Sequence, residues 1–416
     1  MSAFTEKSAI LVACAPGIAP FLAQELRQLG APVLRELETS VETQGTAADT
    51  MGLNLRLRTA TRVLYGIGEF EAHSPERLCA RLRDLPWEAY VPADGYLTLT
   101  SFVQTPAVRD PRIVNLKCKD AIVDRLREKN GQRPNSGNER SGTVVFVYWN
   151  QNDVRVYLDT SGESLSRRGY RKIPMDAPMQ ETLAAAVIMA SEWNGRDAFV
   201  NPMCGSGTLA IEAALLGSGR APGLLRSDYG FQHILGFDPA AWQALRKAVR
   251  AQGGAGPTGP IIATDIRPEA VEAARQNART AGVEQRIQFG VCDFAETPVP
   301  AGGGVVVLNP EYGERMGQDK DLEPEYRRIG DFFKSRCQGY KGCVFTGNLE
   351  LGKKVGLRSS RRIRFFSSRI ECRLLVFQLY AGTKRHRGAA DPAGADAAAA
   401  GGSPGADPGA PAVGDA

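Results

Sequence analysis

The stretch Val305-Val-Val-Leu-Asn-Pro-Glu-Tyr312 decides the fold class of this chain of 416 residues. Its first four residues are apolar and mostly β-branched, and Gly302–Gly304 precede them, so they predict a buried central strand of a parallel sheet. Ligands of open α/β sheets bind just beyond the carboxyl ends of such strands. Asn309 follows the strand, and its side-chain oxygen and the Pro310 carbonyl can accept both N–H bonds of a planar amine. Tyr312 adds an aromatic ring on which a base can stack. The alternative interpretation of Asn309-Pro310 is an Asx-type turn at the end of a strand, without a ligand.

A second stretch, Phe199-Val-Asn-Pro-Met-Cys-Gly-Ser-Gly-Thr208, joins a short apolar segment to an Ala- and Leu-rich helix predicted over residues 209–216. Gly205 and Gly207 permit a tight turn and a close approach of the backbone to a ligand, with helix N–H groups directed at it. The stretch lacks the third glycine of a dinucleotide-binding loop and the Gly-Lys-Ser/Thr of a phosphate-binding loop. A plain strand-to-helix turn is the alternative interpretation.

Two further predicted strands end in carboxylates. Ile261–Asp265 precedes a helix with apolar residues at helical spacing, and Asp265 stands where the ribose hydroxyls of a nucleoside are held. Ile287–Phe294 brings Asp293 and Phe294 to the end of the next strand, where they suit the edge and the face of an adenine. Several strand ends with polar tips in one α/β pattern therefore predict a site for a nucleoside-containing cofactor.

Together these segments resemble a class I S-adenosylmethionine-dependent methyltransferase of the Asn-Pro-Pro-Tyr type. Pro202-Met-Cys-Gly-Ser-Gly-Thr208 and Asn309-Pro-Glu-Tyr-Gly-Glu-Arg-Met-Gly317 are similar, more specifically, to the bacterial RlmL/YpsC-like family, and the resemblance covers most of the chain. It implies a Rossmann-like α/β sheet, S-adenosylmethionine as cofactor and methyl transfer to guanine N2 of large-subunit ribosomal RNA. Two positions depart from the family pattern, because Asn201 replaces an acidic residue and Glu311 replaces a second proline.

The resemblance also implies two sets of site residues. The residues expected to orient the target amine and stack the base are Asn309, Pro310 and Tyr312. The residues expected to bind the cofactor are Asn201, Met203, Cys204, Gly205, Gly207, Asp265, Asp293 and Phe294.

The front half of the chain has an α+β pattern. A strand and a helix are predicted within residues 10–30, Leu53–Arg58 alternates as a half-buried strand does, and residues 144–158 predict a hairpin. Segments 116–124 and 158–171 resemble the THUMP module of the same family, which implies that structured RNA is the partner. Phosphate contacts are expected from the cations Lys117, Lys119, Arg125, Arg127 and Lys129. A solvated helix face is the alternative interpretation of this charge run.

The resemblance divides the chain into a ferredoxin-like part over residues 1–60, a THUMP module over 61–165 and a methyltransferase domain over 166–387. Residues 361–366 and 372–380 predict an antiparallel hairpin at the edge of the methyltransferase sheet. The remaining residues, 388–416, are rich in Ala, Gly and Pro and lack bulky apolar side chains, so we expect a disordered tail.

Composition limits the partners and the compartment. The formal net charge is +5, and the tail contributes four Asp without any Lys or Arg, so the body carries 5 + 4 = +9, which fits an anionic partner. Eight cysteines without a C-x-x-C pair and only three histidines indicate a reducing cytoplasm and no zinc site. No signal peptide or membrane-spanning run is present in the sequence, so no membrane partner is expected.

Three alternatives remain open at this stage. The substrate of the same chemistry could be the guanine N2 of transfer RNA, or the motif could hold the N6 amine of adenine in a nucleic acid. The third alternative is an RNA-binding or ribosome-assembly protein with an impaired cofactor site, because Asn201 and Glu311 depart from the family pattern. Neither the target nucleotide nor the oligomeric state follows from the sequence.

Overall fold

A computed structural model describes residues 2–173, 175, 178–254, 259–313 and 321–380. These residues form two mixed sheets, one in each half of the chain, and helices pack against both. The predicted tail, residues 388–416, lies outside the described residues.

The described part of the front half contains an eight-stranded sheet. Its strands are β1 (Ser8–Ala13), β2 (Arg35–Glu36), β3 (Ser40–Gly45), β4 (Arg62–Glu71), β5 (Tyr96–Gln104), β6 (Asn135–Gly137), β7 (Thr143–Asn150) and β8 (Asp153–Asp159). Its helices are α1 (Ala19–Gln28), α2 (Ala47–Arg56), α3 (Pro75–Asp84) and α4 (Pro111–Asn130). The strand order is β2-β3-β1-β4-β8-β7-β5-β6, and the β7–β8 hairpin forms where the sequence predicts it.

Strand β4 lies at the centre of this sheet. It pairs antiparallel with β1 on one side and with β8 on the other. The segments that resemble a ferredoxin-like part and a THUMP module therefore share one hydrogen-bonded sheet. The α+β character predicted for the front half is confirmed, whereas the boundary placed at residue 60 stays a prediction.

The prediction of a strand over Leu53–Arg58 is wrong, because most of this segment belongs to helix α2. A capping box starts the helix: Thr46 Oγ1 accepts a hydrogen bond from the Asp49 amide at 3.2 Å, and the Asp49 carboxylate accepts one from the Thr46 amide at 2.7 Å. Buried residues then follow at helical spacing. Leu53 and Leu55 are buried positions of α2, and Leu57 is the residue that ends it. Alternation over only six residues therefore does not distinguish a strand from a helix here.

The second half contains a seven-stranded sheet among its described residues. Its strands are β9 (Ala198–Pro202), β10 (Ile261–Asp265), β11 (Ile287–Val291), β12 (Gly304–Leu308), β13 (Tyr340–Thr346), β14 (Arg361–Ser367) and β15 (Ile370–Gln378). Its helices are α5 (Glu181–Ala190), α6 (Thr208–Gly217), α7 (Pro239–Gln252), α8 (Pro268–Ala281), α9 (Glu323–Arg336) and α10 (Leu349–Lys354).

The order of this sheet is β11-β10-β9-β12-β13-β15-β14. The first five strands are parallel, and β15 pairs antiparallel with both β13 and β14. Strand β12 lies between β9 and β13, so the prediction of a central parallel strand before Asn309 is confirmed. The predicted antiparallel edge hairpin is confirmed as β14–β15.

A buried polar cluster joins the two halves of the chain. Arg168 donates to both carboxylate oxygens of Glu212 at 2.8 and 3.3 Å and to the Arg58 carbonyl at 2.5 Å. Glu212 also accepts a hydrogen bond from the Tyr170 hydroxyl at 3.1 Å. The Arg58 amide in turn donates to the Glu25 carboxylate at 2.8 Å. Since Glu212 lies on α6, which begins directly after the glycine turn, this cluster fixes that turn relative to the front half.

Within the described ranges, none of the helices is both long enough and apolar enough to cross a bilayer. The same residues include no group of three or more His, Cys, Asp or Glu side chains arranged to hold a metal ion.

Candidate active site

The strands β9 to β12 end at one cavity of about 480 Å³, a size that suits a small-molecule ligand. Of the residues predicted for the site, those lining it are Met203, Cys204, Gly205, Asp265, Asp293, Phe294, Asn309, Pro310 and Tyr312. Asn201 and Gly207 are not among its lining residues. Nine of the eleven residues predicted to contact the target amine or the cofactor therefore line one cavity.

The two glycines of the turn have different surroundings. Both have left-handed φ angles, +52° at Gly205 and +84° at Gly207. A Cβ built on Gly205 meets no described atom within 4 Å, whereas one on Gly207 lies 2.8 Å from Ala274 Cβ on α8. Gly205 thus leaves free space at the cavity, and Gly207 permits close packing of α8. Met203 also has a positive φ, 56°, which is rare for a non-glycine residue and concentrates backbone strain at this turn.

Asp265 connects the glycine turn to the end of β10. One of its carboxylate oxygens accepts a hydrogen bond from the Gly205 amide at 2.9 Å, and the other accepts one from the Arg267 amide at 3.1 Å. The side chain is largely buried, yet it lines the cavity. Oδ1 also accepts a hydrogen bond from the exposed Arg267 Nε at 3.4 Å. Oδ2 can therefore accept one hydroxyl without releasing the turn, and Oδ1 can accept a second when the Arg267 side chain moves aside.

Asp293 and Phe294 form a small cluster with Arg328 of α9. Asp293 Oδ1 accepts hydrogen bonds from the Ala295 amide at 2.9 Å and from Arg328 Nη2 at 2.7 Å. Burial by itself raises the pKa of Asp293, but these hydrogen bonds and the charge of Arg328 hold that pKa below its usual value. The Arg328 guanidinium carbon also lies 4.8 Å from the centre of the Phe294 ring. The carboxylate is thus held ionised and able to accept from an amine.

Asn309 presents an unused acceptor to the cavity. Its Oδ1 atom is buried, and among the described residues it has no hydrogen-bond partner. A buried acceptor without a partner costs about 1–3 kcal/mol, and because Asn309 lines the cavity, a donor bound there can satisfy this oxygen. The neighbouring Pro310 also lines the cavity, as the sequence predicts for the second acceptor.

The loop after Asn309 is held by helix α9 and by the end of strand β13. The Tyr326 hydroxyl, on α9, donates to the Glu311 carbonyl at 3.2 Å and is hydrogen-bonded to Thr346 Oγ1 at 2.8 Å. The Tyr312 ring packs over Gly347, since a Cβ built there would lie only 2.9 Å from Tyr312 Cδ2. Residues 314–317, the end of the motif that resembles the family, lie outside the described residues.

Asn201 connects β9 to β12. Its side chain is fully buried, and its Nδ2 donates to the Val307 carbonyl at 2.9 Å. The backbone pairing of the two strands ends one residue earlier, at Val200 and Val306, so the side chain extends the connection toward Asn309. An amide can donate to a carbonyl, whereas an ionised carboxylate cannot. Asn201, which replaces an acidic residue of the family pattern, thus links β9 to β12. The contact of Asn201 with the cofactor stays a prediction.

Several residues around the cavity had no counterpart among the predicted residues. Ile266 directly follows Asp265 and is 65% exposed beside the cavity, an apolar exposure that its place after a strand end could have indicated. Arg328 lies 35 residues from its partner Asp293, and no local pattern connects the two. Asn277, fully buried on α8, donates to the Ser206 carbonyl at 3.2 Å and so connects α8 to the glycine turn.

The cations predicted to contact RNA are distributed around α4. Arg125 is engaged within the protein, since it donates to both oxygens of Glu88 at 2.9 and 2.7 Å. Lys117 and Arg127 form exposed ion pairs of 3.6 and 3.4 Å with nearby carboxylates. Lys119 and Lys129 have no carboxylate within 4 Å among the described residues. At 100° per residue, the five positions do not share one face of the helix.

Five parallel strands of the second sheet have the order β11-β10-β9-β12-β13. A glycine turn follows β9, carboxylates stand at the ends of β10 and β11, and Asn309 follows β12. This arrangement defines a class I S-adenosylmethionine-dependent methyltransferase. A family model described as RMKL-like, methyltransferase domain, matches residues 168–375, and a model of the RlmL ferredoxin-like domain matches residues 9–64. The chain belongs to this family of RMKL-like methyltransferases. The predictions of a class I fold and of S-adenosylmethionine as the cofactor are confirmed.

Individual relatives agree with this assignment. The chain is 38% identical over 373 residues to ribosomal RNA large subunit methyltransferase K/L of Syntrophotalea carbinolica, covering 87% of this chain and 52% of the relative. It is 32% identical over 366 residues to the candidate RNA methyltransferase slr0064 of Synechocystis sp., covering 88% and 95%. The solved structure of SMU.472, a candidate methyltransferase in complex with SAH, matches with a TM-score of 0.82 at 27% identity and covers 91% and 100%. The chain spans about half the length of the K/L relatives that it matches.

Proposed function

We propose that this protein transfers a methyl group from S-adenosylmethionine to the exocyclic N2 amine of a guanosine in RNA, with large-subunit ribosomal RNA in the cytoplasm as its substrate. The observation that carries the proposal is the buried, unpartnered Asn309 Oδ1 at a cavity that the Pro310 segment also lines. The names of the K/L relatives support ribosomal RNA as the substrate class.

The residues of the cavity fit the cofactor. Gly205 leaves free space that a Cβ would fill, Asp265 can accept the ribose hydroxyls, and Asp293 can accept from the adenine amine while Phe294 offers a ring. When bound, S-adenosylmethionine supplies an electrophilic methyl group on a sulfonium. The residues at the glycine turn and those at the Asn309 loop line the same cavity, so donor and acceptor can meet there.

Asn309 and Pro310 orient the amine for attack. The guanine amine is a poor nucleophile because its lone pair is delocalised into the ring. Two acceptors, Asn309 Oδ1 and the Pro310 carbonyl, align the N–H bonds and stabilise the positive charge that develops on nitrogen. With the cofactor bound, the oriented amine would take over its methyl group, leaving the sulfur as a neutral thioether, and would then lose a proton to solvent or a nearby carboxylate. Since that proton becomes acidic only after attack, no strong base is needed at the start.

Tyr312 is proposed to stack the target base. Methylation of a base atom requires that the base leave its helix, and aromatic rings commonly hold a base in that state. The front half would bind structured RNA through phosphate contacts, for which Lys117, Lys119, Arg127 and Lys129 remain the candidates. Arg125 could contribute only if its ion pair with Glu88 opened.

Product analysis tests this function. The purified protein is incubated with methyl-labelled S-adenosylmethionine and, separately, unmodified large-subunit ribosomal RNA, transfer RNA and DNA, and each product is digested to nucleosides. We expect label in N2-methylguanosine from ribosomal RNA. Label in transfer RNA would change the substrate, label in N6-methyladenine would contradict the chemistry, and RNA binding without label would indicate an assembly protein.

A further inference from the structure

The edge hairpin β14–β15 and the residues before it are rich in arginine. Residues 358–373 contain six Arg and one Glu, a net charge of 6 − 1 = +5 over 16 residues, which equals the formal net charge of the whole chain. None of the motifs described above lies in this segment. Such a patch next to an active site indicates an anionic partner.

Half of these arginines form ion pairs within the protein. Glu371 pairs with Arg364 at 2.8 Å and with Arg373 at 2.5 Å, and Arg361 pairs with Glu192 at 2.7 Å. The other three are exposed and have no carboxylate within 4 Å among the described residues: Arg358, Arg362 and Arg369. Their charges are therefore available to a ligand.

The outer face of β14 combines cations with an aromatic ring. Side chains of a strand alternate between its faces, so Arg362, Arg364 and Phe366 share the face opposite the buried Phe365. The guanidinium carbon of Arg364 lies 4.8 Å from the centre of the Phe366 ring. Phosphate-binding arginines beside an aromatic surface are the combination used to hold single-stranded nucleic acid.

The tip of the hairpin lies next to the base-stacking residue. Ile370, the first residue of β15, and Tyr312 both pack at Gly347: a Cβ built on Gly347 would lie 3.0 Å from Ile370 Cγ2 and 2.9 Å from Tyr312 Cδ2. Arg369 is the exposed residue directly before Ile370. The free cation at the tip is thus adjacent to the place proposed for the target base.

We propose that this arginine hairpin, residues 358–373, is a second RNA-binding surface that holds the phosphates flanking the target nucleotide while its base is stacked at Tyr312. This surface is separate from α4 of the front half. The inference rests on the proposed function and extends it. An extruded base requires that its backbone be held in a distorted form. Arg369, directly before Ile370 at the tip, supplies the phosphate contact nearest to Tyr312, and Arg362 supplies a second contact further along β14.

A matched pair of variants tests the surface. The hairpin variant is Arg362→Gln with Arg369→Gln, and the control variant is Arg196→Gln with Arg336→Gln. The control removes two exposed arginines that precede β9 and β13, at the amino ends of strands whose carboxyl ends face the cavity. Binding of a large-subunit ribosomal RNA fragment is measured across a salt series, together with cofactor affinity and the kcat and KM of methyl transfer.

We expect the hairpin variant to bind RNA more weakly and to lower the slope of log Kd against log salt by about 1.4, or 0.7 for each lost phosphate contact. Its KM for RNA should rise with kcat and cofactor affinity unchanged, and lysines at both positions should restore binding. The control should match the wild type. If the double variant does not fold, Arg369→Gln alone repeats the test at the exposed turn.

A hairpin variant with the wild-type salt slope overturns the proposal. If that variant also self-associates, the arginines serve to protect the exposed edge strand from pairing with other copies. A wild-type protein that binds RNA without methylating it contradicts the proposed function but not the role of the hairpin. The binding experiment with the two variants decides that role separately.

Discussion

Gly205 and Gly207 share a left-handed backbone, but only Gly205 faces open space at the cavity. Alanine at either position carries the cost of a positive φ, about 1–2 kcal/mol. At 207 the added Cβ also overlaps Ala274, so we expect Gly207→Ala to lower the free energy of unfolding by a further ~1–3 kcal/mol. Gly205→Ala should instead mainly weaken cofactor binding.

Denaturant unfolding and calorimetric titration with S-adenosylmethionine separate these two effects. Equal losses of stability in both variants, with wild-type cofactor affinity for Gly205→Ala, would show that the two glycines have the same role. The sequence shows both residues in one turn, but only the packing of α8 assigns them different functions.

Asn201 gives a pH-dependent test at the residue scale. Asn201→Ala leaves the Val307 carbonyl without its donor and should cost about 1–3 kcal/mol. In Asn201→Asp, burial raises the pKa of the new carboxyl above its unfolded value. The neutral acid can donate to Val307, so this variant should be most stable at low pH and lose stability as pH rises through the folded pKa.

The measurement is the free energy of unfolding of both Asn201 variants without cofactor, at several pH values between 5 and 8, relative to the wild type. Parallel pH profiles for Asn201→Asp and Asn201→Ala would contradict the assigned hydrogen bond to Val307.

At the scale of elements, the strand ends were the most predictable part of the protein. Asp265 and Asn309 directly follow short apolar runs, and parallel strands place their carboxyl ends at one edge of a sheet, so proximity followed from local sequence. Helix α2 was missed because the signal that distinguishes it from a strand is its Thr46–Asp49 cap, which lies upstream of the alternating leucines. Arg328 was missed because its contact with Asp293 depends on how α9 packs.

The placement of cations around α4 also depends on packing. The sequence could give their identity, but not that Arg125 is engaged by Glu88 from a neighbouring segment. Because these positions do not share one face, we expect a variant with Lys117→Gln, Lys119→Gln and Lys129→Gln to lose one or two phosphate contacts and to bind RNA more weakly, with a salt slope reduced by about 1–2. Cofactor affinity should not change.

Arg125→Gln is the matched comparison, because it removes one charge from the same helix but breaks an internal ion pair. It should lower the free energy of unfolding and leave the salt slope of RNA binding near that of the wild type. If the triple variant binds RNA like the wild type across the salt series, none of these three lysines contacts phosphate.

At the scale of the whole molecule, the buried cluster around Arg168 and Glu212 couples the front half to the methyltransferase sheet. Removing one member of a buried ion pair leaves the other charge without compensation, so Glu212→Ala should lower the free energy of unfolding by about 3–5 kcal/mol. Replacing both residues with methionine should cost less than Glu212→Ala alone, because no unpaired charge remains buried.

Denaturant unfolding of the single and double variants measures this coupling. A double variant less stable than Glu212→Ala would mean that the pair itself, and not the avoidance of a buried charge, supports the contact between the two halves. The other hydrogen bonds of the cluster, to Arg58 and Tyr170, would then have to be included in the comparison.

The central claim is that Asn309 orients the target amine for methyl transfer. Single-turnover methylation of large-subunit ribosomal RNA by Asn309→Ala, with cofactor affinity measured on the same sample, tests it most directly. Because Asn309 is proposed to contact the base and not the cofactor, we predict wild-type affinity for S-adenosylmethionine and a rate of N2-methylguanosine formation lower by about 10²–10³. A variant that binds the cofactor and methylates at the wild-type rate would contradict the claim.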